Sequence, residues 1–193
     1  MSVRLILASS SPYRRDLLAR LGLPFEVAAP DVDEHPLPGE SPQALVERLA
    51  VAKAEAVGRR AGDALVIGSD QAAVYAGVIV GKPGNHEAAV QQLRAASGRK
   101  VMLYTGIALL NTATGRVQSE VVPFGIQFRR LTDRQIENYL RKEQPYNCAG
   151  SVRSEGLGIA LLERFEGDDP NALIGLPLIR LVRMLENEGV AVI

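Results

Sequence analysis

A serine-rich turn, a pair of arginines, an acidic loop, two separated lysines and one aspartate are the residues of this chain best suited to chemistry. Ser9-Ser10-Ser11-Pro12 follows the apolar run Leu5-Ile6-Leu7 and precedes Leu17, Leu18 and Leu21 at helical spacing. Serine caps a helix by accepting a free backbone N–H, and proline is tolerated in the first turn, so a helix starts near Ser11. Its open N–H groups attract an anion, and Arg14 and Arg15 add forked donors at the same end. Cations there oppose the helix dipole, which a bound phosphate would explain. The same residues also read as a capped helix with two solvated arginines. Asp31, Asp33 and Glu34 form an acidic loop, and Lys53 sits near the end of a helix opened by Ser41-Pro42. Ser69-Asp70-Gln71 ends the apolar strand Ala64 to Gly68, the position where open α/β sheets place their chemistry. Lys82 follows a hairpin that turns at Gly77. Plainer readings stand beside these: a solvated acidic loop, a snorkelling lysine and a turn-capping aspartate.

Cations with carboxylates and no histidine among them suit metal-assisted phosphate chemistry, in which carboxylates hold a hard cation and lysines hold phosphate oxygens. Other classes are poorly served. There is no Gly-x-x-x-x-Gly-Lys-[Ser/Thr] loop, and no Gly-x-Gly-x-x-Gly follows a strand. His35 and His86 are the only histidines and stand far apart, which disfavours a serine or cysteine triad. Cys148 is the only cysteine, so an internal disulfide and a cysteine-based zinc site are excluded. Lys plus Arg and Asp plus Glu number 22 each, so no basic field meets a nucleic acid or a membrane surface. Aromatics are only 5%, with no basic-aromatic strip. No apolar run is long enough to span a bilayer, and Leu5-Ile6-Leu7 is too short for a signal-peptide core. A cytoplasmic protein without a membrane partner is the expectation.

These residues need elements to position them. The 193 residues suit one domain of ordinary size or two tightly joined lobes, and a single domain over 1–193 is expected. Strands are predicted from Val3 to Leu7, over Leu23 to Val27, from Ala64 to Gly68, across the hairpin from Ala72 to Val80, over Lys100 to Leu110, over Val117 to Phe128, and from Leu157 to Leu162. Helices are predicted from Ser11, from Ser41, from Glu87 to Ala96, from Thr132, and along Leu178, Leu181, Val182 and Leu185. Asp168-Asp169-Pro170-Asn171 reads as a turn. Glycine-rich Gly150 to Gly158 suits a loop close to a ligand. Early alternation of strand and helix with an antiparallel pair in the middle gives a mixed-sheet α/β class.

Taken together, Ser9-Ser10-Ser11-Pro12-Tyr13-Arg14-Arg15, Asp33-Glu34, Leu49-Ala50 with Lys53-Ala54, Gly68-Ser69-Asp70-Gln71, Gly81-Lys82-Pro83, Ala149-Gly150 with Ser154-Glu155-Gly156, and Gly175-Leu176-Pro177 resemble the Maf family of nucleotide pyrophosphatases. The motifs run in the family's order along nearly the whole chain. The resemblance implies hydrolysis of nucleoside triphosphates to monophosphate and pyrophosphate with a divalent metal, Mg²⁺ or Mn²⁺. It also implies an ITPase-like fold, a mixed twisted sheet flanked by helices in two lobes with a central cleft. It further implies that Glu34 and Asp70 hold the metal and Asp70 serves the attacking water. Ser9, Arg14, Lys53 and Lys82 would then meet the phosphates. The branch acting on dTTP and UTP has Arg where Tyr13 stands, Thr where Gln71 stands and Gln where Glu155 stands. Tyr13, Gln71 and Glu155 are similar instead to the bacterial branch acting on 7-methyl-GTP, which often has Trp at the first position. N7-methylation makes guanine cationic, which favours an aromatic face, and a carboxylate can accept from both N1–H and the 2-amino group. Other triphosphates, or a septum-related role without catalysis, are the competing readings, and a homodimer is left open.

Overall fold

A computed structural model describes residues 4–193, so Val3 lies outside the described residues. Strand β1 (Leu5–Ala8) is buried along its whole length, and its alternation divides two apolar clusters. Leu5 and Leu7 pack with Leu17, Leu18, Leu181 and Leu185, whereas Ile6 and Ala8 pack with Ala50, Ala54 and Val57. A strand covered on both faces reads as a continuous apolar run because neither side meets water. Ser11 caps α1 (Pro12–Ala19) and Ser41 caps α2 (Pro42–Gly58), each with proline in the first turn. β2 (Glu26–Ala28) pairs parallel with β1 and is shorter and later than predicted, with Leu23 and Phe25 spent on the core instead.

β3 (Leu65–Tyr75) pairs parallel with β1 and then turns through Ala76 and Gly77 into β4 (Val78–Val80). Both turn residues have positive φ (49° and 81°), the geometry that suits the twist of a two-residue hairpin. The strand does not end at Gly68. It runs straight through Ser69-Asp70-Gln71, whose side chains find partners on α2, at Thr105 and Gly106, and on the segment from Ala172 to Gly175. α3 (His86–Ala96), β5 (Lys100–Asn111), β6 (Val117–Phe128) and α4 (Asp133–Glu143) follow, α4 with a full capping box between Thr132 and Gln135.

Two further expectations give way. Residues 157–161 form a 3-10 turn, and β7 (Leu162–Glu166) begins only after it. Gly158 lies so close to Arg153 that a Cβ would meet its carbonyl oxygen at 2.3 Å, an approach no extended strand makes. Asp168 to Asn171 is not a bare turn either. Asp169 caps α5 (Pro170–Ile174), accepting from the Asn171 N–H, and its second oxygen accepts from the N–H of Ile179 in α6 (Leu178–Asn187).

The seven strands form one mixed sheet in the order β2-β1-β3-β5-β6-β7, with β4 beside β3. By contacts the chain divides into two compact units. The first comprises residues 1–71, 105–122 and 169–193, and holds both apolar clusters described above. The second comprises residues 72–104 and 123–168. In it α3 packs on α4, and Leu93, Phe124, Phe128, Ile136 and Leu140 are buried. No helix among the described residues is long and apolar enough to cross a membrane.

Candidate active site

In the first unit, β3 presents two faces with different partners. Gly68 and Asp70 point to α2, whereas Ser69 and Gln71 point to α5, as alternation along a strand requires. α2 comes very close to the sheet. A Cβ on Gly68 would meet the Ala50 carbonyl oxygen at 2.0 Å, and one on Gly106 would meet that of Val46 at 2.1 Å. This contact sets Lys53, one turn beyond Ala50, above Asp70, two residues beyond Gly68. Gly68→Ala should therefore drive α2 off the strand and lower stability by about 3 kcal/mol in urea unfolding. A loss below about 1 kcal/mol would show that the helix is free to shift.

The Lys53 ammonium lies 2.6 Å from Asp70 Oδ1 and 2.6 Å from Glu34 Oε1. Lys53 is nearly buried, with a side chain 6% exposed, while Asp70 is 15% and Glu34 62% exposed. One lysine thus spans a half-sealed carboxylate and one open to solvent. The second Asp70 oxygen has no partner among the described residues. Glu34 rides on a loop anchored to α2: Arg48 donates to Glu40 through Nε (2.6 Å) and Nη2 (2.8 Å), and to the His35 carbonyl (3.1 Å). These bonds, with the Leu37 N–H, push the Glu40 carboxyl down to about 2. His35 itself sits at the surface with Asp33, outside this cluster.

Arg14 donates through Nε to the Gly175 carbonyl at 2.8 Å, which fixes the plane of its guanidinium. Its two terminal nitrogens make no hydrogen bond among the described residues and remain a fork for an anion. Burial pushes its pKa down, and the charges of Asp70 and Glu34 push it back up, so it belongs to the same electrostatic cluster. Arg15, by contrast, is exposed and paired with Asp16. Ser9 is buried, and its hydroxyl accepts from the Ser11 N–H, leaving its own hydrogen to donate. Tyr13, in the first turn of α1, is partly exposed.

The second unit carries Lys82 and Glu155. Lys82 is exposed, and no described residue partners it. Its loop is held on either side: the Gly81 carbonyl accepts from Gln92 Nε2 (3.1 Å), and the Gly84 N–H donates to the Tyr146 carbonyl (3.0 Å). Glu155 stands 3.5 Å from the Arg153 guanidinium and accepts from the Ser154 hydroxyl at 3.4 Å. Glu143 shapes this segment by accepting from Arg153 Nη1 (3.0 Å) and from the Leu157 N–H (2.7 Å). His86 lies elsewhere in this unit, bound to Tyr146 and Glu137.

Residues 4–188 match the family described as Maf-like protein. The chain belongs to the Maf family. It is 63% identical over 98% of its length, and 95% of the relative's, to the "7-methyl-GTP pyrophosphatase" of Nitrosococcus oceani. It is 59% identical over 97% and 85% of the two chains to the protein of that name from Polaromonas sp.. To that from Nitrosospira multiformis it is 56% identical over 98% and 96%. A HAM1 protein from Coxiella burnetii aligns at 17% identity over 67% of this chain and 75% of that one, with a TM-score of 0.45.

Of the motif residues in this Maf chain, Ser9, Tyr13, Arg14, Glu34, Lys53, Asp70 and Gln71 fall in the first unit, and Lys82 and Glu155 in the second. Two residues beside Asp70 and Gln71, Ser69 and Thr105, make ties that the sequence alone does not disclose. Ser69 donates its hydroxyl to the carbonyls of Gly106 and Gly175 at 2.8 Å, tying β3 to the same carbonyl that orients Arg14. Thr105 and the carbonyls at the end of α5 surround Gln71. The Gly175-Leu176-Pro177 motif was the one pointer to that region. Gly175 sits at φ +117°, and a Cβ there would stand 3.3 Å from Arg14 Nε.

Proposed function

We propose that this chain hydrolyses 7-methyl-GTP to 7-methyl-GMP and pyrophosphate, acting in the cytoplasm. The observation that carries the reading is the Asp70–Lys53–Glu34 cluster with Arg14 beside it, in a chain whose relatives bear the name 7-methyl-GTP pyrophosphatase. Asp70 offers its unpartnered oxygen to a water, orients it toward the α-phosphorus and takes its proton. The bond from the α-phosphorus to its bridging oxygen breaks, and the electron pair leaves with pyrophosphate. Arg14, Lys53 and Lys82 neutralise the phosphate charge, and the Ser9 hydroxyl donates to a phosphate oxygen. The terminal nitrogens of Arg14 match two phosphate oxygens at once.

The donors suit a hard cation. Glu34 and Asp70 bring oxygens within about 5.2 Å of each other, on either side of one ammonium. No group of three metal-ligating side chains occurs among the described residues. Mg²⁺ or Mn²⁺ held by one or two carboxylates with the remaining positions left to substrate and water fits that set. When bound, such an ion supplies further neutralisation of the triphosphate.

For the base, Tyr13 supplies an aromatic face to the cationic 7-methylguanine, a contact of about 0.5–2 kcal/mol. Gln71 contributes a polar contact, and Glu155 accepts from N1–H and the 2-amino group. The test is pyrophosphate release from 7-methyl-GTP, GTP, dTTP and UTP with Mg²⁺ present. A clear preference for 7-methyl-GTP is expected, and equal turnover of all four would refute the substrate assignment. Glu155→Gln should lower kcat/KM for 7-methyl-GTP roughly 10- to 100-fold, the worth of a charged hydrogen bond, with little change for UTP. An unchanged substrate profile in that variant would remove Glu155 from base recognition.

A further inference from the structure

Asp169 is 2% exposed, and none of its contacts among the described residues is with a cation. A buried carboxylate is ordinarily paired with a cation or a metal, because desolvation penalises the bare charge. Here the N-termini of α5 and α6 take that part, each with open N–H groups and the positive end of a helix dipole. One carboxylate oxygen, Oδ1, accepts from the Asn171 N–H and from Asn171 Nδ2, both at 2.9 Å. The other, Oδ2, accepts from the Ile179 N–H at 2.8 Å. A single side chain thus pins the start of both helices and, with them, the turn between.

That turn carries the carbonyl that holds Arg14. The Gly175 N–H donates to the Asn171 and Ala172 carbonyls, and the Leu176 N–H to that of Asn171. The Gly175 carbonyl accepts from Ser69 Oγ and from Arg14 Nε, each at 2.8 Å. No other hydrogen bond or ion pair holds the Arg14 side chain among the described residues. The same segment meets α1 a second time, where Arg20 Nη1 donates to Asn171 Oδ1 at 3.2 Å. Both ends of α1 therefore touch residues that Asp169 fixes. All of these residues belong to the first unit.

We infer that Asp169 is the positioning residue for Arg14: through α5, α6 and the Gly175 carbonyl it sets where the two terminal nitrogens of Arg14 stand. The inference rests on Arg14 meeting phosphate, and it is independent of which base the nucleotide carries. A carboxylate is required because the three groups that converge on it all donate. Asp169→Asn replaces one oxygen by an NH₂ group, which faces an N–H donor whichever way the amide turns. Either α5 or α6 is then released, the Gly175 carbonyl shifts, and Arg14 loses its alignment with the phosphate oxygens.

The experiment measures inhibition by inorganic triphosphate, a probe with no base, and kcat/KM for the best substrate of the four-nucleotide panel. Both are read with Mg²⁺ in wild type, Asp169→Asn, Arg14→Gln and the double variant. Asp169→Asn should raise the inhibition constant and lower kcat/KM, each by about tenfold, within what a shift of about 1 Å costs. In the Arg14→Gln background the same substitution should change either quantity by less than about twofold, since its effect runs through Arg14. A loss of folded protein alone would lower kcat and leave the inhibition constant of the remaining enzyme unchanged. An unchanged inhibition constant in Asp169→Asn, or losses that multiply in full in the double variant, overturn the inference. Should Asp169→Asn not fold, Asn171→Ala takes its place, removing the amide contact with Asp169 and the tie to Arg20 while the backbone cap stays. That variant should raise the inhibition constant about threefold, and not at all in the Arg14→Gln background. No rise overturns the inference. Failure of the reading beneath it looks different: Arg14→Gln alone would then leave the inhibition constant unchanged, and both would fall together.

Discussion

Replacing Asp70 by asparagine should lower kcat for pyrophosphate release by roughly 10²- to 10⁴-fold, the range of a lost general base, while the chain still folds. Asparagine keeps an oxygen to accept from Lys53, now 2.6 Å from Asp70 Oδ1. Lys53 also keeps Glu34, at 2.6 Å. The ammonium is therefore not orphaned, and the stability cost should stay within about 1–3 kcal/mol. What disappears is the second oxygen, which has no partner among the described residues and is the atom available to water. An NH₂ group there can neither orient a nucleophile by accepting from it nor take its proton. The decisive pair of measurements is single-turnover pyrophosphate release and a thermal melt on the same preparation. A folded variant retaining a third or more of wild-type kcat would move the base to another residue.

The parts of this arrangement that were legible in sequence are those whose signals are local. Ser11-Pro12 and Ser41-Pro42 carry cap and first-turn proline in adjacent positions, and both helices begin there. The Ala76-Gly77 hairpin is equally local. β3 extends beyond its apolar run because its polar triplet is satisfied at long range. Ser69 is satisfied by carbonyls 37 and 106 residues away, and Gln71 by partners 34 to 102 residues away. Nothing within the strand announces them, so Ser69-Asp70-Gln71 resembled a strand end. Asp169 shows a different limit. Asp-Pro-Asn is the same local signal for a turn and for a helix start, and the choice is made by the Ile179 N–H reaching back to the carboxylate. For the site, residue types spoke plainly and distances did not. That Lys53 meets Asp70 follows from Gly68 and Gly106 admitting α2 against the sheet, a packing fact that no spacing reveals. Thr105 was invisible, since a threonine inside a strand is ordinary.

Lys53→Met should be nearly as damaging as the loss of Asp70, with a signature of its own. Methionine fills much of the same space without charge, leaving the oxygens of Glu34 and Asp70 within about 5.2 Å with no cation between them. Two like charges at that separation repel by roughly 3 kcal/mol at an effective dielectric near 20. The exposure of Glu34 lets its loop swing into water, so the repulsion costs less stability than that figure. In catalysis there is no such escape. The triphosphate loses a fixed positive charge at a nearly buried point, and kcat/KM should fall roughly 10²- to 10³-fold. Lys53→Arg should not rescue it, because a planar fork cannot replace a compact ammonium 2.6 Å from two carboxylates in a nearly closed space. The distinguishing measurement is thermal stability with and without Mg²⁺, in the absence of nucleotide. Once the lysine is gone, a divalent ion can take its place between the carboxylates. Mg²⁺ should therefore raise the melting temperature of Lys53→Met more than that of wild type, in which the ammonium competes with the ion for the same oxygens. No rise in either protein would mean that Glu34 and Asp70 do not hold a cation, and the metal would then have to be held by other groups.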